Sequence, residues 1–351
     1  MPEPTKAAGT AGLSYREAGV DRDAAARAKS RIAELVRSTE IPGVISEPGA
    51  FGGMFRMPGG LEKPALVASA DGVGTKLKVA MMAGRHDTVG RDLVNHCVDD
   101  ILVEGARPLF FLDYIGMGRL EAGVTEQLVA GVAAGCRENG CALLGGETAE
   151  MPDFYAPGEY DLAGFIVGVV EEERRPGKHR VKAGDALVAL ASNGFHTNGY
   201  SLVRRLLFDR LGLGIDDEFP DLGESIADVL LRVHRSYLKP VLPLVEAGKV
   251  HALAHITGGG IPENLARVIP DGLEARIQRS TWMMPPEFES IMRHGGVSED
   301  EMAHTFNMGV GMVLVVPPEQ VTDAVERLRA EGEDAWVAGV VENGERRVTL
   351  L

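Results

Sequence analysis

Three short apolar runs in the first half of the chain each end at an acid. ALVASA (65–70) stops at Asp71, PLFFL (108–112) at Asp113, and CALL (141–144) at Gly145, Gly146 and Glu147. Runs of this length fit strands and fall far short of the roughly 20 residues that a membrane-spanning helix needs. Between them the apolar residues change to helical spacing. Val89, Leu93, Cys97 and Ile101 form one stripe, widened by Val94, Val98 and Leu102, which predicts a helix from about Asp87 to Glu104 with Gly105 ending it. Another helix is expected from about Thr125 to Glu138, and a short one begins at Leu77 and stops at Gly84. The interleaving predicts an α+β chain with mostly covered sheets.

The stretch EEERRPGKHR (171–180) breaks the apolar pattern and is read as a domain boundary. It divides the 351 residues into domains 1–170 and 171–351, a reasonable number for this length. The second half starts over with the strand DALVALAS, the loop NGFHTNGY and a helix over SLVRRLLFDRL. A helical region near 226–247 carries Pro240 and Pro243 and should kink or split. HALAHIT reads as a strand leading through three glycines into the helix IPENLARVI, and a strand, helix, strand series closes the chain. Near the N-terminus one helix, capped by Asp21 or Asp23, runs through Ala24, Ala28, Ile32, Leu35 and Val36. GAFGGMF (49–55) follows and reads, on its own residues, as a mobile surface loop.

A net charge of −15 argues against a broad basic face for nucleic acid. An anionic ligand would therefore need local cations, backbone amides or a metal ion. Cys97, Cys136 and Cys141 are irregularly spaced, with no C-x-x-C, as expected of reduced thiols. With no signal-peptide pattern and no membrane span, a cytoplasmic protein is expected.

DGVGTK (71–76) is neither a P-loop nor a dinucleotide fingerprint. It still carries parts suited to phosphate: Gly72 and Gly74 at a helix start, then Thr75 and Lys76. Asp71 would repel phosphate unless a divalent cation stood between them, which suggests Mg²⁺. Asp100, Asp113 and Glu147 are further acids at expected apolar-to-loop transitions. Each has a plainer reading, and Asp100 alone reads better as part of a solvated helix face.

Together, DGVGTKLK, HDTVGRDLV, PLFFLDY, GCALLGGETAEMP, YDLAGF, HTNGYSLVR, HITGGGIPENLARV and FNMGVGM resemble the phosphoribosylformylglycinamidine cyclo-ligases, or aminoimidazole ribonucleotide synthetases. The blocks run in order from about Ser14 to Trp336. The resemblance implies a two-domain α+β fold whose N-terminal sheets pair into a barrel across a homodimer, with an α/β sandwich after it. It implies ATP-dependent ring closure of formylglycinamidine ribonucleotide through an iminophosphate. It puts Asp71, Asp100 and Glu147 at Mg²⁺, and Gly72, Gly74, Thr75, Lys76 and Asp113 near ATP. Gly52 and Gly53 would lie in a segment that closes over the nucleotide. His196 is the candidate for proton transfer, with Asp71 and Lys76 assisting phosphoryl transfer. Asn198, Gly258, Gly259 and Gly260 are candidates for holding the substrate.

Asp99, Ala70 and Asn193 depart from the family pattern, where Asn, Thr and Ser are usual. Thiamine-monophosphate kinase, selenophosphate synthetase and the large synthase of the preceding step are the nearest alternatives. They are disfavoured by the HTNGYSLVR and HITGGG blocks, by the absence of an early Cys, and by chain length respectively. A non-catalytic nucleotide-binding subunit would not be expected to retain acids at 71, 100 and 147.

Overall fold

The computed structural model describes residues 31–351. Residues 31–37 are helical (α1); the proposed cap at Asp21 or Asp23 lies outside the described residues. The first unit then runs β1 (Pro64–Gly72), α2 (Lys76–Ala83), α3 (Asp87–Leu102), β2 (Arg107–Met117), α4 (Ala122–Asn139), β3 (Ala142–Glu150) and β4 (Tyr160–Glu171). Its four strands are ordered β1-β4-β2-β3. β4 is antiparallel to β1 and β2, while β3 is parallel to β2.

Helices α3 and α4 cover one face of this sheet. They approach closely because two glycines meet at the crossing. A Cβ on Gly131 would fall 1.9 Å from the Asp87 carbonyl oxygen, and one on Gly90 would fall 2.3 Å from that of Leu128. Val89, Leu93, Cys97 and Ile101 are fully buried, as their spacing predicts. The opposite sheet face is open: Leu66 is 60% exposed and Phe165 45%. Covered sheets were expected, and in this unit the described residues cover only one face.

The second unit contains β5 (Ala186–Ala191), α5 (Tyr200–Arg204), α6 (Ile226–Leu230), α7 (Leu238–Glu246), β6 (Ala252–His255), α8 (Gly260–Ala266) and β7 (Leu273–Ile277). It continues with α9 (Pro286–Gly295), α10 (Glu299–Thr305), β8 (Val310–Val316), α11 (Val321–Ala330), β9 (Ala335–Asn343) and β10 (Arg347–Leu350). Its six strands are ordered β10-β7-β9-β5-β8-β6. Both faces are buried, so successive residues serve different cores. Val188, Leu190, Met312 and Leu314 join the core that also holds Leu93 and Ile101, whereas Leu187, Ala189, Val313 and Val315 join a second cluster with Ile261 and Leu265. The two halves thus share one continuous apolar core.

Three local expectations change. GGETAE is not a turn but the second half of β3, so Glu147 lies within a strand, and Asp113 is likewise inside β2. The SLVRRLLFDRL helix is α5 followed by a π-turn at Arg205–Arg210. The 226–247 region does split, but at 231–237; Pro243 lies inside α7.

Candidate functional site

Helix α3 carries a polar stripe beside its apolar one. Asp92, Asn95 and Asp99 recur at helical spacing and face the backbone of segment 232–237 in the second unit. Asp92 Oδ1 accepts from the His234 amide at 2.7 Å, Asn95 Nδ2 donates to the His234 carbonyl at 2.8 Å, and Asp99 Oδ1 accepts from the Tyr237 amide at 2.9 Å. This lock satisfies an irregular segment that would otherwise bury unpaired backbone groups.

Lys76 completes the lock. Its ammonium is fully buried, 2.8 Å from Asp92 Oδ2, and donates to the carbonyls of Arg232 (2.7 Å) and His196 (3.2 Å). Desolvation lowers its pKa, opposed by the charge of Asp92. The expectation that Lys76 meets phosphate is therefore not what the structure shows. Its charge serves an interior ion pair, whose loss on one side would strand a buried charge. The Gly72 amide is also engaged, donating to Asp71 Oδ1 at 2.7 Å. Gly74, at φ 64°, and Thr75 remain exposed, with the Thr75 hydroxyl 3.0 Å from that of Ser201 across the seam.

The adjoining positions of α3, His96 and Asp100, build an acid–histidine constellation with the end of β1 and with β6. His96 Nε2 lies 3.0 Å from Asp71 Oδ2, and His255 Nδ1 lies 2.9 Å from Asp100 Oδ1. Ser69 donates to Asp100 Oδ2 at 3.0 Å. Burial pushes both carboxyls up, but the histidine hydrogen bonds and charges outweigh it, leaving Asp71 and Asp100 below the ordinary range. His96 is depressed by burial but raised further by its hydrogen bond and attraction to Asp71, for a net rise. His96 Nδ1 meets Thr197 Oγ1 at 2.9 Å, which lies 3.4 Å from His234 Nδ1. Two ionised, partly exposed carboxylates thus stand side by side at the seam, a hard oxygen donor set that suits Mg²⁺.

His196 lies behind this constellation, not on its surface. It is fully buried, at φ 57°, and stacks on His234 with ring centroids 4.0 Å apart. Its Nε2 accepts from the Asn193 amide at 2.9 Å, and desolvation holds the ring well below its usual pKa. The histidine expected to transfer protons is therefore an interior, neutral ring.

Asn198 and Gly258 do come together: a Cβ on Gly258 would sit 3.3 Å from Asn198 Oδ1. The turn over Gly258, Gly259 and Gly260 is tied by Asn264 Nδ2, which donates to the carbonyls of Gly258 and Gly260 at 3.1 and 2.8 Å.

Other expected residues stand elsewhere. Asp71, Gly164, Asp113 and Gly146 form one row across the sheet. Glu147, next to Gly146, is therefore at the opposite edge from Asp71, three strand spacings or roughly 14 Å away. Asp113 shares the helix-covered face with Phe111 and Ile115. Gly146 leaves room for it, since a Cβ there would fall 1.8 Å from Asp113 Oδ1. Asp113 accordingly points away from the open face and from the seam. Gly52 and Gly53 belong to a pinned hairpin in which Val44 bridges Phe55 and Ser46 Oγ accepts from the Met54 amide at 2.9 Å. Gly53 packs on Leu144 of β3, and the Phe55 ring lies 5.7 Å from that of Phe110. Within one chain, Gly52, Gly53 and Glu147 are thus grouped apart from Asp71 and Asp100.

Sequence reasoning missed Asp92, His96, Thr197, His234 and His255. Asp92 and His96 share one face of α3 with Asn95, Asp99 and Asp100, a pattern that reads equally as a solvated stripe, and nothing in the sequence singles out Thr197, His234 or His255.

Residues 54–170 match the family model described as AIR synthase related protein, N-terminal domain, and residues 182–350 match its C-terminal domain. The chain is 51% identical over 331 residues to a phosphoribosylformylglycinamidine cyclo-ligase of Sorangium cellulosum, covering 94% of this chain and 95% of that one. It is 46% identical to a cyclo-ligase of the same name from Alkaliphilus metalliredigens, covering 96% and 98%. Among solved structures, thiamine-monophosphate kinase from Stenotrophomonas maltophilia aligns with a TM-score of 0.70 at 15% identity, covering 91% and 95% of the two chains. Hydrogenase maturation protein HypE in complex with ATP aligns at 0.64 and 19% identity, covering 90% and 88%. At those identities the two structures share the fold and nothing finer. No helix among the described residues is long and apolar enough to cross a membrane.

Proposed function

The chain belongs to the phosphoribosylformylglycinamidine cyclo-ligase family, and from that premise we propose how its seam performs the family's reaction. The enzyme closes formylglycinamidine ribonucleotide to aminoimidazole ribonucleotide with ATP, giving ADP and phosphate. The formyl oxygen attacks the γ-phosphorus and ADP leaves, forming an iminophosphate. The substrate's amidine nitrogen then attacks the formyl carbon, phosphate departs with the original oxygen, and one N–H proton is released. Phosphoryl transfer requires mainly positioning and charge compensation, and the ring closure is intramolecular, so holding the substrate folded supplies much of the rate.

The observation that carries this reading is the pair of histidine-braced carboxylates, Asp71 and Asp100, on the seam between the units. These two would hold Mg²⁺, which when bound offsets phosphate charge. His96 and His255 fix the carboxylates by hydrogen bonds on their other sides. His96, with its raised pKa, keeps a proton at Nε2 against Asp71. Asn198 and the turn at 258–260 would receive the ribose phosphate and amidine from the second unit. Lys76 and His196 position the seam instead of touching substrate.

Glu147, Gly52 and Gly53 join such a site only from a second copy. The open sheet face with Leu66 and Phe165 supports a homodimer in which the two sheets meet and the partner brings those residues over. The first unit, through 170, would bind nucleotide and dimerise, and the second, from 171, would bind substrate.

Incubating the protein with ATP, Mg²⁺ and formylglycinamidine ribonucleotide tests the reading. Aminoimidazole ribonucleotide should form in step with ADP. ATP consumption without that product would overturn the assignment. Asp100→Asn should lower turnover chiefly at limiting Mg²⁺.

A further inference from the structure

Behind the Asp71 and Asp100 carboxylates, three donor atoms converge that the cyclisation does not use. Asp99 Oδ2, His234 Nε2 and His255 Nε2 all lie within 4.8 Å of one another, and the three residues are fully buried or nearly so. His234 Nε2 is 3.1 Å from His255 Nε2 and 3.6 Å from Asp99 Oδ2. Ligands about 2.0–2.1 Å from a tetrahedral ion are separated by about 3.3 Å. We propose that Asp99, His234 and His255 bind a transition-metal dication of the zinc class, at a site separate from that for Mg²⁺.

The second atom of each ligand is already committed. His255 Nδ1 is held by Asp100 Oδ1 at 2.9 Å, so its Nε2 lone pair points into the site. His234 Nδ1 faces Thr197 Oγ1 at 3.4 Å, and Asp99 Oδ1 accepts from the Tyr237 amide. These outer bonds orient a carboxylate and two imidazoles as they do around zinc. The inner atoms, in contrast, are short of partners. Asp99 Oδ2 is buried with no hydrogen bond, and the two facing imidazole nitrogens can share only one proton between them. A dication satisfies all three acceptors at once. Two nitrogens and one carboxylate oxygen favour Zn²⁺ over Mg²⁺, which takes oxygen ligands.

The site also has a structural consequence. One ligand residue, His234, also lines a cavity of about 510 Å³ together with Asn95 and Glu333. Asp99 comes from α3, whereas His234 and His255 come from the second unit. A bound ion therefore cross-links the two halves directly behind the reaction site. The ligand geometry is independent of the cyclo-ligase reading.

The full-length protein, stripped with chelator and dialysed against Zn²⁺, should retain one zinc per chain by elemental analysis. Co²⁺ in its place should give the intense visible absorption of a four-coordinate centre. Asp99→Asn keeps an oxygen for the Tyr237 amide, so its fold should survive, while zinc affinity should fall by more than the roughly 10-fold that loss of even an outer-shell partner costs. Added zinc should raise the thermal midpoint of the wild-type protein but not of this variant. Wild-type protein that keeps no zinc, or whose cobalt form lacks that absorption, overturns the proposal without reference to any variant. So does an Asp99→Asn protein that binds zinc as tightly as wild type, which would place the metal elsewhere.

Discussion

Asp113 sits on the helix-covered side of β2, and desolvation pushes its carboxyl up to about 7. Its folded value lies above its unfolded one, so the fold favours the protonated form. That contribution is complete below about pH 4 and is lost as pH rises through 7. For a half-buried group the loss should be about 2–4 kcal/mol. Urea unfolding of wild-type protein and Asp113→Asn from pH 4 to 8 should therefore show wild-type stability falling relative to the variant. Parallel curves would mean that the carboxyl stays hydrated. At this scale the sequence located the acids at 71, 100 and 147 but not their company. Asp100 read as a solvated residue because His255, its partner, is 155 positions away.

The hairpin around 43–56 is pinned at its base by the Arg56 amide on the Gly43 carbonyl (2.7 Å) and the Ile45 amide on the Met54 carbonyl (2.9 Å). Beyond that base, residues 49–54 are exposed, and Phe51 has no packing partner to hold it. If the segment closes over nucleotide, amides 51–53 should exchange within seconds in the free protein and slow on addition of Mg·ATP. Unchanged exchange would remove it from the site. Element-scale prediction worked where periodicity was strong: α3 lies where its stripe puts it, and α4 spans Ala122–Asn139 around its expected range. It failed at GGETAE, where glycines suggested a turn. There Gly146 serves a strand instead, leaving space for the Asp113 carboxyl.

The whole molecule presents a four-stranded sheet with helices on one face and Leu66 and Phe165 open on the other. Its outer strands are β1 and β3, which pair with no further strand among the described residues and so offer edges to another chain. The protein should sediment as a dimer at micromolar concentration. Phe165→Asp should yield a folded monomer that loses cyclisation, because Glu147 and the hairpin would no longer reach the Asp71 edge of another copy. A wild-type monomer of full activity, or a monomeric variant with unchanged turnover, would show that each chain works alone.

The α+β alternation and the family resemblance were both legible along the chain, because they depend on local spacing and on runs of adjacent residues. The seam was not. Lys76 reads as a phosphate ligand in DGVGTK, yet it is buried against Asp92 and the carbonyls of Arg232 and His196. His196 reads as a loop imidazole suited to proton transfer, yet it stacks inside a histidine cluster. Whether a charged group faces ligand or interior depends on what the other unit packs against it. Those partners lie 120 to 156 residues away for Lys76, so only the docking of segment 232–237 onto α3 decides the matter.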